Sequence, residues 1–255
     1  MKTTIKTLMA VALLSSSLAQ ATVVEVTTNL GKFEINLFDQ TTPVTVQNFL
    51  GYVNSGRYDG TVIHRSVPGF VVQGGGFVFV QQLPLTAVAT NAAIINEPKW
   101  SNVRATIAMA KLGGNPNSAT NQWFINLADN SSGGPKLDSQ NGGFTVFGQI
   151  NAQGMEVIDA IAGLPRFNFP SVGDLPLQNY TAADRDDNKA LVASNFITIE
   201  SMVVVDARAD SAASLNPVPN NASNGNTAAP ISAGSLGWLS LLLSLVVVSR
   251  RKRTL

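Results

Sequence analysis

A chain of 255 residues with 45% hydrophobic content is long enough for one substantial domain with appendages, or for two small ones. It has no cysteine and a single histidine, His64; this excludes a disulfide framework, a thiol nucleophile and thiolate or multi-histidine metal sites, and leaves any hydrolase triad dependent on one imidazole. The formal charge of +1 hides a terminal bias, because without Lys2, Lys6, Arg250, Arg251, Lys252 and Arg253 the chain has 11 basic against 16 acidic residues, a net −5 that makes nucleic acid a poor partner.

Residues 1–21 carry Lys2 and Lys6, an apolar run over 8–18 and then Ala19-Gln20-Ala21. That order reads as a signal peptide, cut by signal peptidase after Ala21. Residues 22–37 hold two alternating runs, Val24-Glu25-Val26-Thr27 and Lys32-Phe33-Glu34-Ile35-Asn36-Leu37, around Asn29-Leu30-Gly31. This predicts a hairpin with one wet face. Thr42-Pro43 supplies a cap residue and a first-turn proline, and Val46, Phe49, Leu50 and Val53 recur at helical spacing up to Gly56. Phe49, Tyr52 and Tyr58 read as packing residues.

The segment Ile63-His64-Arg65-Ser66-Val67-Pro68-Gly69-Phe70-Val71-Val72-Gln73-Gly74-Gly75-Gly76 concentrates a guanidinium, an aromatic ring, aliphatic side chains and an amide within a few residues. If residues 61–66 and 70–73 are strands joined by Val67-Pro68-Gly69, side chains of one parity share a side and Arg65 lies across from the aromatic and the amide. Arg65 offers five donors in a rigid plane, Gln73 both donates and accepts, and Phe70 and Val71 can wall an apolar pocket. His64-Arg65, Pro68-Gly69-Phe70 and Gln73-Gly74-Gly75 resemble the active-site strand pair of the cyclophilins, the peptidyl-prolyl cis/trans isomerases. Asn48-Phe49-Leu50-Gly51-Tyr52 and Gly56-Arg57-Tyr58-Asp59-Gly60-Thr61 resemble the stretch that precedes it in that family.

Residues 77–96 are apolar without a clear period and read as a loop lying on a barrel, with no candidate site. Ala105-Thr106-Ile107-Ala108-Met109-Ala110 reads as a strand and resembles the family segment bordering the proline-binding groove. Asn117-Ser118-Ala119-Thr120-Asn121-Gln122-Trp123-Phe124-Ile125-Asn126 is similar to a bacterial cyclophilin pattern, and Leu137-Asp138 with Phe144-Thr145-Val146-Phe147-Gly148-Gln149 completes the resemblance. Lys136 and Phe144 stand where animal members have tryptophan and histidine, as in many bacterial members, which lowers the expected affinity for cyclosporin.

Residues 154–162 read as a second amphipathic helix. Residues 167–195 form a polar excursion longer than is usual in the family. Within it Asp184-Arg185-Asp186-Asp187-Asn188 lacks the glycine and distal glutamate of a calcium loop and reads as a solvated loop. Residues 196–205 supply a closing strand. Residues 207–230, rich in Ala, Asn, Ser and Pro, read as a disordered linker. Residues 231–248 are a marginal membrane span followed by Arg250-Arg251-Lys252-Arg253, which would hold that end in the cytoplasm. With Ala233-Gly234-Ser235 the tail also resembles the GlyGly-type sorting signals of Gram-negative bacteria, cut by a rhomboid-family protease, with Ala233 in place of the first glycine.

The resemblance spans about residues 22–206 and implies a mostly β fold, a closed eight-stranded antiparallel barrel capped by two helices. It implies a monomer without cofactor or metal that isomerises X-Pro bonds in exported or envelope proteins. Arg65 is then the donor to the twisted amide; Phe70, Val71 and Phe124 hold the proline ring, Gln73 and Gln122 hold the flanking backbone, and Ala110, Leu137 and Phe144 border the groove. Two other readings remain open at this point. One is a proline-peptide-binding chaperone or scaffold without turnover, against which Arg65 argues. The other is a hydrolase using His64 and Ser66, which share a strand face but lie too far apart for an assured hydrogen bond, without an evident acidic partner.

Overall fold

Alternating side chains build the first hairpin. The computed structural model describes residues 22–207 and 215–222, and the predicted signal peptide and membrane segment lie outside them. Strands β1 (Val23–Thr28) and β2 (Gly31–Leu37) pair with Val24 opposite Ile35 and Val26 opposite Phe33, all four buried. Helix α1 (Pro43–Asn54) follows. Its Thr42 does not cap it; the Thr42 hydroxyl donates to Phe38 O, and the remote Glu97 carboxylate accepts from Thr45 N at 2.9 Å. A negative charge at a helix N-terminus meets both the orphan amides and the dipole. Gly56, at φ +64, lies just past the helix end in the left-handed region that a glycine enters freely.

The remaining strands are β3 (Arg65–Val67), β4 (Val71–Gly74), β5 (Phe77–Val80), β6 (Gln82–Ala87), β7 (Thr106–Met109), β8 (Trp123–Asn126), β9 (Val146–Ile150), β10 (Arg166–Phe169), β11 (Val172–Pro176) and β12 (Ile199–Asp206). Helix α2 (Ala152–Ala162) precedes β10 and the short α3 (Ala182–Asp186) follows β11. Eight strands form one antiparallel sheet in the order β12-β1-β2-β9-β7-β8-β4-β3. It is strongly curled, and its edges β12 and β3 do not pair as strands. Among the described residues, the segment before β3 reaches the far edge, with Ile63 N donating to Ile197 O at 2.9 Å and Ile199 N to Thr61 O at 2.8 Å. The ladder is that of a curled half-barrel rather than the closed barrel anticipated from the sequence.

Inside the curl, Phe49 of α1 lies 5.3 Å from the Tyr58 ring and 5.1 Å from Phe147. Met155, Ile158 and Ile161 of α2 join the same core. Asn151 caps α2, accepting from Gly154 N at 2.7 Å. Each large ring buried here contributes on the order of 2 to 3 kcal/mol through its apolar area.

Three expectations change. Residues 77–96 are not a plain loop: β5 and β6 form a hairpin whose Phe79, Leu83 and Leu85 pack on a second core of Val62, Phe167, Leu175, Leu177, Tyr180 and Phe196. The excursion over 167–195 is the other half of that core, because β10 and β11 form a hairpin and α3 follows. Asp184, read as part of a solvated loop, closes a capping box with Thr181 and pairs with Lys189 at 2.7 Å. The third change concerns residues 215–222, within the stretch read as linker. They form a strap in which Val218 O accepts from Ser101 N at 2.8 Å, Asn220 N donates to Lys99 O at 2.9 Å and Asn220 Nδ2 to Asp138 O at 2.9 Å. Among the described residues, no helix is long and apolar enough to cross a membrane.

Candidate active site

Between β3 and β4 the chain reverses through Val67-Pro68-Gly69-Phe70. Proline sets the first corner, Gly69 takes φ +67 at the second, and Phe70 N donates to Val67 O at 3.0 Å. This is a type II turn, which requires a positive φ at its third residue. The turn fixes the register, so that Arg65 faces Gln73. The next ladder puts Gln73 opposite Phe124, and the one after it puts Phe124 opposite Ala108. One row of like-facing residues therefore crosses four strands. Because side chains alternate, Val71 shares that face while Val72, Trp123, Ile125, Ile107 and Met109 point into the main core.

This outer row lines a cleft with Arg65, Phe70, Val71, Gln73, Ala110, Lys111, Phe124, Leu137 and Phe144 on its walls. Eight of the nine residues singled out in the sequence thus meet in one place. The ninth, Gln122, lies beside them and accepts from Gln73 Nε2 at 3.0 Å. Phe124 and Phe144 meet edge to face at 5.7 Å. Gly75 makes room beneath: at φ +82, a Cβ there would sit 2.7 Å from Trp123 Nε1.

The far wall belongs to the loop carrying Leu137 and Phe144, and buried polar groups hold it. Asp138, buried, accepts from Ser101 Oγ at 2.5 Å, Asn102 N at 2.7 Å and Asn102 Nδ2 at 3.0 Å. Asn130 Nδ2 donates to Phe70 O at 2.9 Å, tying the loop to the β3–β4 turn. Lys111 was not anticipated. Its Nζ donates to Asn141 O at 3.0 Å and Gly143 O at 2.5 Å and lies 4.7 Å from the Phe144 ring. Burial pulls its pKa down to about 8, although two carbonyls and an aromatic face favour the ammonium. The only sequence signal for it was a charge directly after the apolar Ala108-Met109-Ala110.

Arg65 stands at the near end. Its Nη1 is buried without a hydrogen-bond partner among the described residues, Cζ lies 5.8 Å from the Phe70 ring, and Nε is 4.0 Å from Asp174. Burial lowers its pKa, and Asp174 pulls it back up. Even lowered, a guanidinium stays charged. A buried donor without a partner costs about 1–3 kcal/mol. That cost is recovered when a ligand supplies an acceptor.

His64, one residue earlier, faces the other way. Its ring packs edge-on to Phe77 at 4.9 Å, and among the described residues neither its Nδ1 nor Ser66 Oγ has a hydrogen-bond partner. The hydrogen bond that a His64–Ser66 hydrolase needs is absent. Burial pulls the His64 pKa down to about 4, opposed by the nearby Val62 backbone and Gln122 side chain and helped by the Arg65 charge. The unfolded chain, titrating at 6.5, takes up this proton first. The associated stability is complete above pH 6.5, is lost as pH falls toward 4, and amounts to about 3 kcal/mol. Urea midpoints measured from pH 7 to 4.5 should fall more steeply for the wild type than for His64→Gln; equal slopes would contradict this environment for the imidazole.

The pattern of the cyclophilin type peptidyl-prolyl cis-trans isomerase/CLD family matches residues 23–181. A peptidyl-prolyl cis-trans isomerase of Acinetobacter baylyi is 39% identical over 168 residues, 65% of this chain and 85% of its own length. Peptidyl-prolyl cis-trans isomerase A of Dickeya dadantii is 42% identical over 160 residues, 61% of this chain and 79% of its own. In fold, a Cryptosporidium parvum cyclophilin type isomerase matches with a TM-score of 0.51 at 23% identity, covering 73% of this chain and 98% of that one. A curled eight-stranded sheet, the His64-Arg65 to Gln73-Gly74-Gly75 hairpin and these matches lead to one conclusion: the chain belongs to the cyclophilin type peptidyl-prolyl cis-trans isomerases.

Proposed function

We propose that the protein accelerates cis/trans isomerisation of X-Pro bonds in polypeptides outside the cytoplasm, with Arg65 as the group that lowers the barrier. The observation that carries this reading is the buried, unpartnered Nη1 of Arg65 beside an apolar cleft. Rotation about an X-Pro bond breaks amide resonance and meets a barrier of about 18–20 kcal/mol. In the twisted state the proline nitrogen becomes pyramidal and gains a lone pair. A donor fixed where that lone pair forms stabilises the twisted state more than either planar isomer.

In this reading Phe70, Val71 and Phe124 seat the pyrrolidine ring, with Ala110, Leu137 and Phe144 bordering the groove. The paired amides of Gln73 and Gln122 hold the backbone on either side. No covalent bond forms and no proton moves. Closure of the curled sheet into a full barrel, through the short bridge between residues 60–63 and 197–199, belongs to the same reading. A protease-coupled or NMR exchange assay on an X-Pro peptide tests it directly. Turnover supports an isomerase; binding without turnover supports a chaperone or scaffold.

The setting is also part of the proposal. Residues 1–21 direct export, and residues 231–255 hold the domain at the membrane or are removed by a sorting protease near Ala233, Gly234 and Ser235. Fractionation with intact-mass measurement distinguishes the forms: membrane-bound and ending at Leu255 for an anchor, soluble and ending near Gly234 for cleavage. A soluble cytoplasmic chain that keeps residues 1–21 would overturn both.

A further inference from the structure

The β10–β11 hairpin lies against β3 and brings one acid to the rim of the cleft. Its ladder pairs Phe167 with Leu175 and Phe169 with Val172, so Asn168 faces two residues, Gly173 and Asp174. This is a bulge, a feature that re-aims a side chain out of the strand's alternation. Asp174 takes φ +52, its N donates to Asn168 Oδ1 at 2.8 Å, and its carboxylate lies 4.0 Å from Arg65 Nε. Asp and Asn are the side chains that tolerate this left-handed conformation best. The hairpin behind it is fixed by the second core, through Phe167 and Leu175. The acid is therefore held in place before any ligand arrives.

As a clamp the contact is weak. The pair is long and the Asp174 side chain is 44% exposed, so its contribution to stability is small. Electrostatically it changes the site. The other charged residues lining the cleft are cations, Arg65 and Lys111, and Asp174 adds a negative charge at the Arg65 end with part of its surface open to solvent.

We propose that Asp174 is a specificity-determining residue: an acidic subsite at the rim that shifts preference toward polypeptides with a Lys or Arg close to the proline and away from those with an acid there. This rests on the cleft being the peptide-binding site. The substrate class it selects is a basic segment around an X-Pro bond. A carboxylate within several ångströms of a substrate charge, partly screened by water, changes the Lys-to-Glu ratio by about fivefold to tenfold.

The test uses the full chain and matched short peptides with Lys, Ala or Glu on either side of a single proline. Both binding affinity and kcat/KM are measured for the wild type, Asp174→Asn and Asp174→Glu. Asparagine keeps the left-handed geometry and removes only the charge. The expected result is a Lys-to-Glu ratio that falls fivefold to tenfold in Asp174→Asn, is largely kept in Asp174→Glu, and shrinks for the wild type in 1 M salt, where screening shortens to about 3 Å. A merely structural role would change all peptides alike and leave the ratio alone; an unchanged ratio in Asp174→Asn overturns the proposal. Turnover of the Ala peptide reports separately on the isomerase reading. If no peptide turns over, the affinity ratio still decides the role of Asp174, and if none binds, both readings fall.

Discussion

Arg65→Ala should leave the fold intact and reduce isomerase turnover by about a hundredfold to a thousandfold, the 2.7–4 kcal/mol typical of removing a preorganised donor from a developing charge. The fold survives because Arg65 contributes no hydrogen bond to the core; its Nη1 has no partner and its one ion pair is loose. Losing a buried orphan donor could even raise the melting temperature slightly. Arg65→Lys should restore little, since an ammonium is a point charge on a flexible stem and cannot hold the same planar direction. Circular dichroism and kcat/KM on one X-Pro peptide separate these effects. Activity within threefold of wild type would remove Arg65 from the chemistry.

The second large effect concerns stability. Asp138→Ala should cost on the order of 3 kcal/mol, because three buried hydrogen bonds go and Asn102 N is left without an acceptor, while Ser101 Oγ and Asn102 Nδ2 keep only Pro219 O and Phe144 O. For a domain of this size that is a fall of roughly 6–12 °C in Tm. Asp138→Asn should cost less: the Ser101 hydroxyl can turn to accept from the new amide, and one carbonyl oxygen still serves Asn102. Both variants should also weaken peptide binding more than they slow the bound step, because Leu137 and Phe144 flank this residue on the cleft wall. A loss in kcat alone, with KM unchanged, would mean that the loop does not set the shape of the cleft.

The site was legible in sequence because its parts are close in the chain and obey a period of two. Arg65, Gln73 and the Pro68-Gly69 corner follow from strand alternation and turn chemistry, and the family resemblance then placed Phe124 and Phe144 beside them. What was missed depends on partners far away in sequence. The second core takes Val62 and Phe79 from one region and Phe167, Leu175 and Phe196 from another; residues 77–96 are apolar but without a period, residues 167–195 are mostly polar, and neither stretch names the other as its partner. Asp174 reaches Arg65 only through a bulge, which shifts side-chain direction without any composition signal. Lys111 was passed over because carbonyl acceptors such as Gly143 O leave no mark on a sequence. The helix cap went to Glu97 instead of Thr42 for a similar reason: the better acceptor came from another segment.

The strap over residues 215–222 moves the practical border of the folded unit. Cutting after β12, where family resemblance ends, would remove Leu215 from the apolar cluster behind the cleft and take away the partners of Ser101 N, Lys99 O and Asp138 O. The Leu137–Phe144 wall of the cleft would then lose its hold on the strap side. A chain end after residue 222 keeps these contacts, whereas one at residue 207 removes them together with the Leu215 packing against the cluster of Phe124, Leu137 and Phe144. If residues 231–248 hold the domain at a membrane, as proposed above, the sequence between that segment and the strap counts only residues 223–230, not the whole of 207–230.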